Sequence, residues 1–369
     1  MGKFELVLLM CSMVAQECAE PKTQIHLYQS HSDCAAAGYV RSLKEIQSLE
    51  KIDVDNLFPL GKSTVGSSIN FQNKNLVIGD LDSFNPSDAN ITIFSAGSSV
   101  AKNYAEKFVK AGNYVIDLSS EFRYNDNVPL VIPEINGDIL KDLKEPTLIA
   151  NPNCSTSQLL MALKPIHDRY GIEFLNIATY QAVSGTGKEA VEELRSQTFE
   201  NNSDNSVYPK PIAFNVIPQC DVFLENAFTK EEMKLVWETK KILDSNIDVQ
   251  ATCVRVPVFN GHSEAVFLKL TNDASRENII DCIDGTKGVC IMDNPDKQEY
   301  PTPFEQANDT EDVYVGRIRS QEIQGDTWIS LWIVADNVYG KGAALNLSLI
   351  HISEPTRPER ISYAVFCLK

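Results

Sequence analysis

A chain of 369 residues with 43% hydrophobic and 22% charged residues has the make-up of an ordinary globular protein, long enough for two domains with cores of their own. A formal net charge of −17 argues against nucleic acid and anionic membrane as partners. Nine cysteines, at positions 11, 18, 34, 154, 220, 253, 282, 290 and 367, form no CxxC pair, which points to a reducing compartment and to no metal site of the zinc type.

Residues 1–19 carry a lysine, the apolar run Leu6-Val7-Leu8-Leu9-Met10 and then small residues, a crude likeness of a signal peptide. Glu5 interrupts the basic start and the apolar run is short, so a buried first strand explains the same residues better. No run has the length of a transmembrane helix, and the expected location is cytoplasmic. Residues 18–40 show no clean period. From about residue 50 strand and helix alternate, with strands expected at 75–78, 91–94, 114–117 and 147–150 and a helix at 100–111. Apolar runs separated by helices predict a parallel sheet covered on both faces, an α/β domain of the Rossmann-like kind. The loop Ser95-Ala96-Gly97-Ser98-Ser99 follows the second of these strands, at the carboxyl end where doubly wound sheets bind ligands.

Asn151-Pro152-Asn153-Cys154-Ser155-Thr156-Ser157 then delivers a cysteine to the start of an amphipathic helix. Hydroxyls directly after it can cap that helix. Unpaired N–H groups and the positive end of the helix dipole favour thiolate, so Cys154 is expected to titrate below a free cysteine and to act as a nucleophile. The bland alternative is a buried structural cysteine.

The second half reads differently. Strands are expected at 174–182, 249–257, 265–271 and 328–335, and helices at 189–199 and 230–243, with a loop at 201–211. That pattern predicts an α+β catalytic and dimerisation domain with a mostly antiparallel sheet. Gln181 ends a strand that runs into Ala182-Val183-Ser184-Gly185-Thr186-Gly187, a loop whose backbone can approach a phosphate or a ring. His262 sits at a glycine turn before a strand, where an imidazole can face a cleft and serve a cysteine as acid or base; an exposed turn histidine is the alternative. Arg123 and Arg255 lie beside strands or turns, positions suited to anion recognition, or else to a surface ion pair. Glu231 and Lys234 share a helix face by spacing, which by itself describes a solvated pair. The tail from 352 to 362 puts Pro355 and Pro358 where a closing helix belongs, reads as foreign sequence and is assigned no role. The expected domains are 1–152 for dinucleotide binding, 153–335 for catalysis and dimerisation, 336–351 returning to the first, and 352–369 as the tail.

Taken together these pieces resemble the aspartate-β-semialdehyde dehydrogenase family. The blocks that carry the likeness are Leu57-Phe58-Pro59-Leu60, Ser95-Ala96-Gly97, 115–123, 128–136, the Cys154 block, 179–187, 255–265, Ala335-Asp336-Asn337 and 342–346. Their order and spacing cover about residues 50 to 350. The resemblance implies NADP-dependent interconversion of aspartyl-β-phosphate and aspartate-β-semialdehyde, on the way to lysine, threonine and methionine. It implies Cys154 as the nucleophile forming a thiohemiacetal and then an acyl-thioester, His262 as acid/base and Gln181 as the group orienting the intermediate. It further implies Arg255 on the substrate carboxylate, Arg123 and Lys234 on phosphate, and Asn153 and Glu231 assisting. Lys62, Ser63, Ser95, Ala96, Gly97, Ser184, Gly185 and Asn337 are implied as cofactor-binding, and a homodimer or dimer of dimers as the assembly.

Two departures stand out. The family's first strand ends in a Gly-x-x-Gly-x-x-Gly turn; the frame at 7–17 has Leu9, Ser12 and Ala15 in the glycine positions, and the frame at 35–40 keeps one glycine. Side chains there hinder backbone approach to a pyrophosphate, which predicts impaired cofactor binding. The run meeting the adenosine 2′-phosphate is Gly61-Lys62-Ser63-Thr64, with Lys62 its only cation. An inactive dimer on the same scaffold and the related N-acetyl-glutamyl-phosphate reductase stand as the alternatives.

Overall fold

Short apolar runs punctuated by glycine and by capped helices set the architecture seen in the computed structural model, which describes residues 3–4, 53–54, 56–62, 64–71, 74–141, 143, 145–200, 205–340 and 363–368. Both frames for the glycine-rich turn, Ser63 and residues 341–362 lie outside the described residues. The chain divides into two compact units, 1–152 with 346–369, and 153–345.

In the first unit, strand β1 (Asn56–Gly61) leads through the hairpin of β2 (Ser68–Phe71) and β3 (Lys74–Val77) to β4 (Gly79–Asp80), and then to β5 (Ile91–Ser95). Helix α1 (Ser98–Lys110) follows, then β6 (Tyr114–Asp117) and β7 (Leu148–Ala150), a parallel pair. Ile91, Ile93, Phe94, Val115 and Ile116 are buried, as parallel strands covered on both faces require, and Phe108 of α1 packs edge-on against Phe94. Residues Tyr363–Leu368 form a strand lying parallel between β1 and β5. That run lies in the stretch 352–369 that the sequence sets apart as a tail. Tyr-Ala-Val-Phe-Cys-Leu is nonetheless an uninterrupted apolar run of strand-forming residues, suited to a parallel sheet.

The second unit opens with α2 (Cys154–Tyr170), followed by β8 (Ile172–Gln181), α3 (Lys188–Phe199), α4 (Lys230–Ile242), β9 (Asp248–Arg255) and β10 (His262–Leu270). The unit is completed by α5 (Arg276–Ile283), β11 (Val289–Ile291), β12 (Val313–Ile323) and β13 (Asp326–Ala335). The six strands form one sheet in the order β9-β8-β10-β13-β12-β11. Its three inner pairs are antiparallel, while β8 with β9 and β11 with β12 run parallel, so the sheet is mixed. Along strand β10, His262, Glu264, Val266 and Leu268 are buried on one face, and Phe267 on the other is exposed. The buried face is covered by α2, whose Leu159, Leu160, Leu163 and Ile166 are fully enclosed. Residues 336–340, expected to return to the first domain, are tied to the second unit: the Asp336 carboxylate accepts the N–H groups of Asp309, Val338 and Tyr339.

Candidate functional site

The end of β8, the end of β9, the start of β10 and the start of α2 meet at one end of the second sheet. Gln181 lies opposite Arg255 in register, and His262 is opposite Ala335. Cys154 is the first residue of α2 and is partly exposed. The hydroxyls after it, expected to cap the helix, are inside it and buried. Asn153 is the cap instead, its Oδ1 accepting from the N–H of Ser155 at 2.9 Å and of Thr156 at 3.4 Å. An asparagine one residue ahead of the cysteine leaves Sγ at the mouth of the helix, where a hydroxyl cap further on would have drawn it outside.

A buried charge cluster holds this corner. The Asn153 Nδ2 donates to Glu231 Oε1 at 3.0 Å and Gln181 Nε2 to the same oxygen at 3.3 Å. Lys234 Nζ donates to Glu231 Oε2 and to Asp221 Oδ2, both at 2.8 Å. Gln181 Nε2 also reaches Ser155 Oγ at 3.1 Å, beside the cysteine, and the Asn153 N–H donates to Glu238 Oε2 at 2.7 Å. Burial alone would push Glu231 up, but Lys234, with Asn153 and Arg255, holds its pKa down to about 2. Burial works against the Lys234 charge, yet Glu231 and Asp221 raise its pKa. The pair that spacing described as solvated is a buried, ionised one.

On the other side stand Arg255 and His262. Arg255 Nη1 donates to the Ala182 carbonyl at 2.6 Å, and its Nε is buried without a hydrogen-bond partner. His262 is fully enclosed: its Nδ1 accepts the Ala182 N–H at 3.1 Å, and its Nε2 has no partner. Burial, helped by the Arg255 guanidinium and opposed by Glu231 and the Gly261 carbonyl, presses the His262 pKa down to about 3. Gly185 is a glycine because a Cβ there would stand 2.9 Å from both Cε1 and Nε2 of His262 and 3.2 Å from Arg255 Nη1. Asn337 braces the loops: its Oδ1 accepts from the Gly261 N–H at 2.9 Å, and its Nδ2 donates to Ser184 Oγ at 3.0 Å.

Asn153, Ser155 beside Cys154, Gln181, Glu231 and Lys234 thus form one hydrogen-bonded group, while Ala182 holds Arg255 and His262, Gly185 lies against both, and Ser184 and Asn337 brace the loops. The other expected site residues belong to the first unit. Arg123 is buried and its Nη2 donates to the Leu118 carbonyl at 3.1 Å. Ser95, Ala96 and Gly97 link β5 to α1, with Gly97 at φ 86 as a cap that offers no side chain. Lys62 pairs with Asp82 at 3.4 Å and lies over the Tyr104 ring. The residue that sequence reasoning missed is Ala182, whose backbone N–H and C=O hold His262 and Arg255; a methyl side chain carries no signal for such work. Asp221 and Glu238, partners of Lys234 and Asn153, were missed for want of a local pattern. No cluster of three or more metal-binding side chains occurs among the described residues.

Chemically the arrangement offers a thiol at a helix start, an N–H-bearing ring and unspent guanidinium donors, the equipment for covalent acyl chemistry on an anionic carbonyl compound. Comparison with known proteins agrees in kind. Residues 163–339 match the family described as semialdehyde dehydrogenase, dimerisation domain, and residues 37–143 that described as semialdehyde dehydrogenase, NAD binding domain. The chain is 46% identical over 318 residues to the aspartate-semialdehyde dehydrogenase of Shewanella violacea, covering 84% of this chain and 93% of the relative. It is 46% identical over 299 residues to that of Legionella pneumophila, covering 79% and 86%. Aspartate semialdehyde dehydrogenase II of Vibrio cholerae, solved as a complex with ASA, shares the fold with a TM-score of 0.82 and 37% identity, over 95% of this chain and 98% of that one.

Proposed function

The chain belongs to the aspartate-semialdehyde dehydrogenase family, and we propose that the network around Cys154 and His262 is where it interconverts aspartyl-β-phosphate and aspartate-β-semialdehyde. The observation that carries the assignment of the site is the convergence of an N-terminal helix cysteine, a buried imidazole and a buried arginine at one end of one sheet. The enzyme is an oxidoreductase of amino-acid biosynthesis that uses a nicotinamide cofactor.

In the aldehyde-oxidising direction, Cys154 Sγ attacks the β-carbonyl carbon and forms a thiohemiacetal. The helix α2 start favours the thiolate form through its unpaired N–H groups and dipole. His262 meets the carbonyl oxygen and Gln181, tethered to Ser155 and Glu231, orients the adduct. Arg255, with its Nε lacking a protein partner, holds the substrate carboxylate. Oxidation of the adduct gives an acyl-thioester on Sγ, which phosphate cleaves. Lys234 uses two of its three N–H donors on carboxylates, so one is left to a phosphate oxygen.

When bound, a nicotinamide would supply the redox chemistry, accepting or giving the hydride. The first unit suits it in part: β5 ends in a glycine-capped helix start, where backbone N–H groups favour an anion. We assign NADP rather than NAD, with Lys62 the cation for the 2′-phosphate and Ser95, Ala96 and Gly97 shaping the site in the first unit. Because Ser184 and Asn337 bond each other, their part is to fix the loop backbone. The assembly we assign is a homodimer. Phe267 and Tyr180 lie exposed on the sheet face turned away from α2, the apolar surface such an interface needs. The test is phosphate-dependent reduction of NADP by the purified chain with aspartate-β-semialdehyde. Turnover with the N-acetyl-glutamyl analogue in preference, or none with either, would sink the reading.

A further inference from the structure

The loop that carries Gly185 past His262 and Arg255 is anchored from two directions. Its inner half is tied to the backbone that follows β9. The Val183 N–H donates to the Val258 carbonyl at 2.9 Å and the Ser184 N–H to that of Phe259 at 3.1 Å. The outer half has another anchor: Tyr208, on the segment beyond α3, donates its hydroxyl to Thr186 Oγ1 at 2.8 Å. We propose that Tyr208 is a positioning residue for the candidate active site, one that acts through Thr186 to set the Gly185 edge against the Arg255 guanidinium. The proposal rests on the reading of Arg255 as the holder of the substrate carboxylate, while the anchoring of the loop stands apart from it.

An anchor has to be held itself, and here two side chains of α3 hold it. Glu193, buried, accepts the N–H groups of Ser206 at 2.7 Å, Val207 at 2.6 Å and Tyr208 at 3.4 Å, together with the Ser206 hydroxyl at 3.1 Å. Gln197, one turn further along the same helix face, accepts the N–H groups of Ile212 at 2.9 Å and Ala213 at 3.0 Å. Beneath them lies a small core of its own, made by Val183, Ala190, Leu194, Tyr208, Ile212 and Ile217. Loop, helix and returning segment are therefore one packed piece, and the loop contributes Val183 to it.

The same segment reaches Arg255 by a second route. The Ile217 N–H donates to the Arg255 carbonyl at 2.9 Å and the Arg255 N–H to the Ile217 carbonyl at 2.8 Å. On the side-chain end, a Cβ at Gly185 would stand 3.2 Å from Nη1, so the loop edge and the guanidinium are in close approach. Burial raises the Tyr208 pKa, with the nearby Arg255 guanidinium opposing, and the phenol stays an O–H donor. Tyr208 is buried whereas Gly185 and Thr186 are exposed. The hydroxyl bond thus runs from a fixed interior to the open edge of the site. A buried phenol that merely satisfies its own O–H is the rival account.

The two accounts part in kinetics. Tyr208→Phe keeps the packed ring and removes the donor; Thr186→Val removes the acceptor and keeps the side chain's shape; Thr186→Ser restores it. In either of the first two, KM for aspartate-β-semialdehyde should rise about 3–10-fold, the worth of one neutral hydrogen bond, with kcat and KM for phosphate held. Thr186→Ser should recover the KM, and the double variant should be no worse than either single one, because both remove the same bond. An unchanged KM in Tyr208→Phe, or losses that simply add, would overturn the proposal. So would a rise in both KM values together with a lower melting temperature, the result that packing alone predicts. A second arm needs no turnover: hydrogen exchange of the 184–187 amides should quicken in Tyr208→Phe while those of 206–208, held by Glu193, keep their protection. Unaltered exchange at 184–187 would remove the anchor. Faster exchange there with no effect on the semialdehyde KM would instead count against the part given to Arg255.

Discussion

Two glutamates lie buried in the same unit and have opposite fates. Glu231, on α4, faces a lysine, an asparagine amide and a glutamine amide and stays ionised, its pKa held down to about 2 against the push of burial. Glu264, on β10, faces no cation, with only the Gln158 amide opposing, and burial drives its pKa well up. Both are buried; their company differs. A buried carboxyl is charged where donors converge on it and neutral where they do not. The site thereby gains a charged side, which anchors the cysteine's helix, and an uncharged side, where the imidazole can stay neutral.

The contrast can be broken from its centre outwards. Cys154→Ser removes the nucleophile and should lower phosphate-dependent turnover by at least about 10³-fold, with the fold intact by circular dichroism. Lys234→Met strands Glu231 with amides alone, and should cost about 3–5 kcal/mol in denaturant unfolding, as loss of one partner of a buried pair does. Gly185→Ala places a methyl against the ring and the guanidinium, both fixed by Ala182. It should cost about 1–3 kcal/mol and lower kcat together with it.

Stability against pH sharpens the comparison. Glu231 has a depressed folded pKa, so its contribution is present above its unfolded value of about 4.5 and is lost as pH falls towards about 2; Glu231→Gln should remove that acid limb. Glu264 has a raised folded pKa, so its unfolded form ionises first and stability declines as pH rises above about 4.5. Glu264→Gln should therefore gain stability at pH 7 relative to pH 4, and a loss there would show that the carboxyl is ionised. The smallest effect expected is at Lys62, exposed and already paired with Asp82: Lys62→Gln should weaken NADPH binding by calorimetry while leaving NADH binding unchanged.

Much of this was legible in the chain. Most of the regular elements lie within a residue or two of where periodicity puts them, because strands such as Ile91–Ser95 and helices such as Lys230–Ile242 carry their pattern locally. Strand β12 was not read, since a register shift between Gly316 and Arg319, with Arg317 at φ 55, breaks its alternation. Helix α5 was not read either, although Ser275 and Asn278 form its capping box. At the site, residue types announced Cys154, His262 and Arg255. They could not announce Ala182, which acts through its backbone, or the tie between Glu231 and Asn153, which lie far apart in sequence and meet only on folding.

Asn153 does two things that pull in opposite chemical directions. Its amide oxygen receives the first N–H groups of the cysteine's helix, and its amide nitrogen gives to a carboxylate 3.0 Å away. Aspartate would serve the helix as well, but would set a second negative oxygen against Glu231; serine and threonine lack the reach. Hydrolysis of that one amide, the slow ageing to which asparagines are subject, would therefore unseat the nucleophile without touching the sulfur.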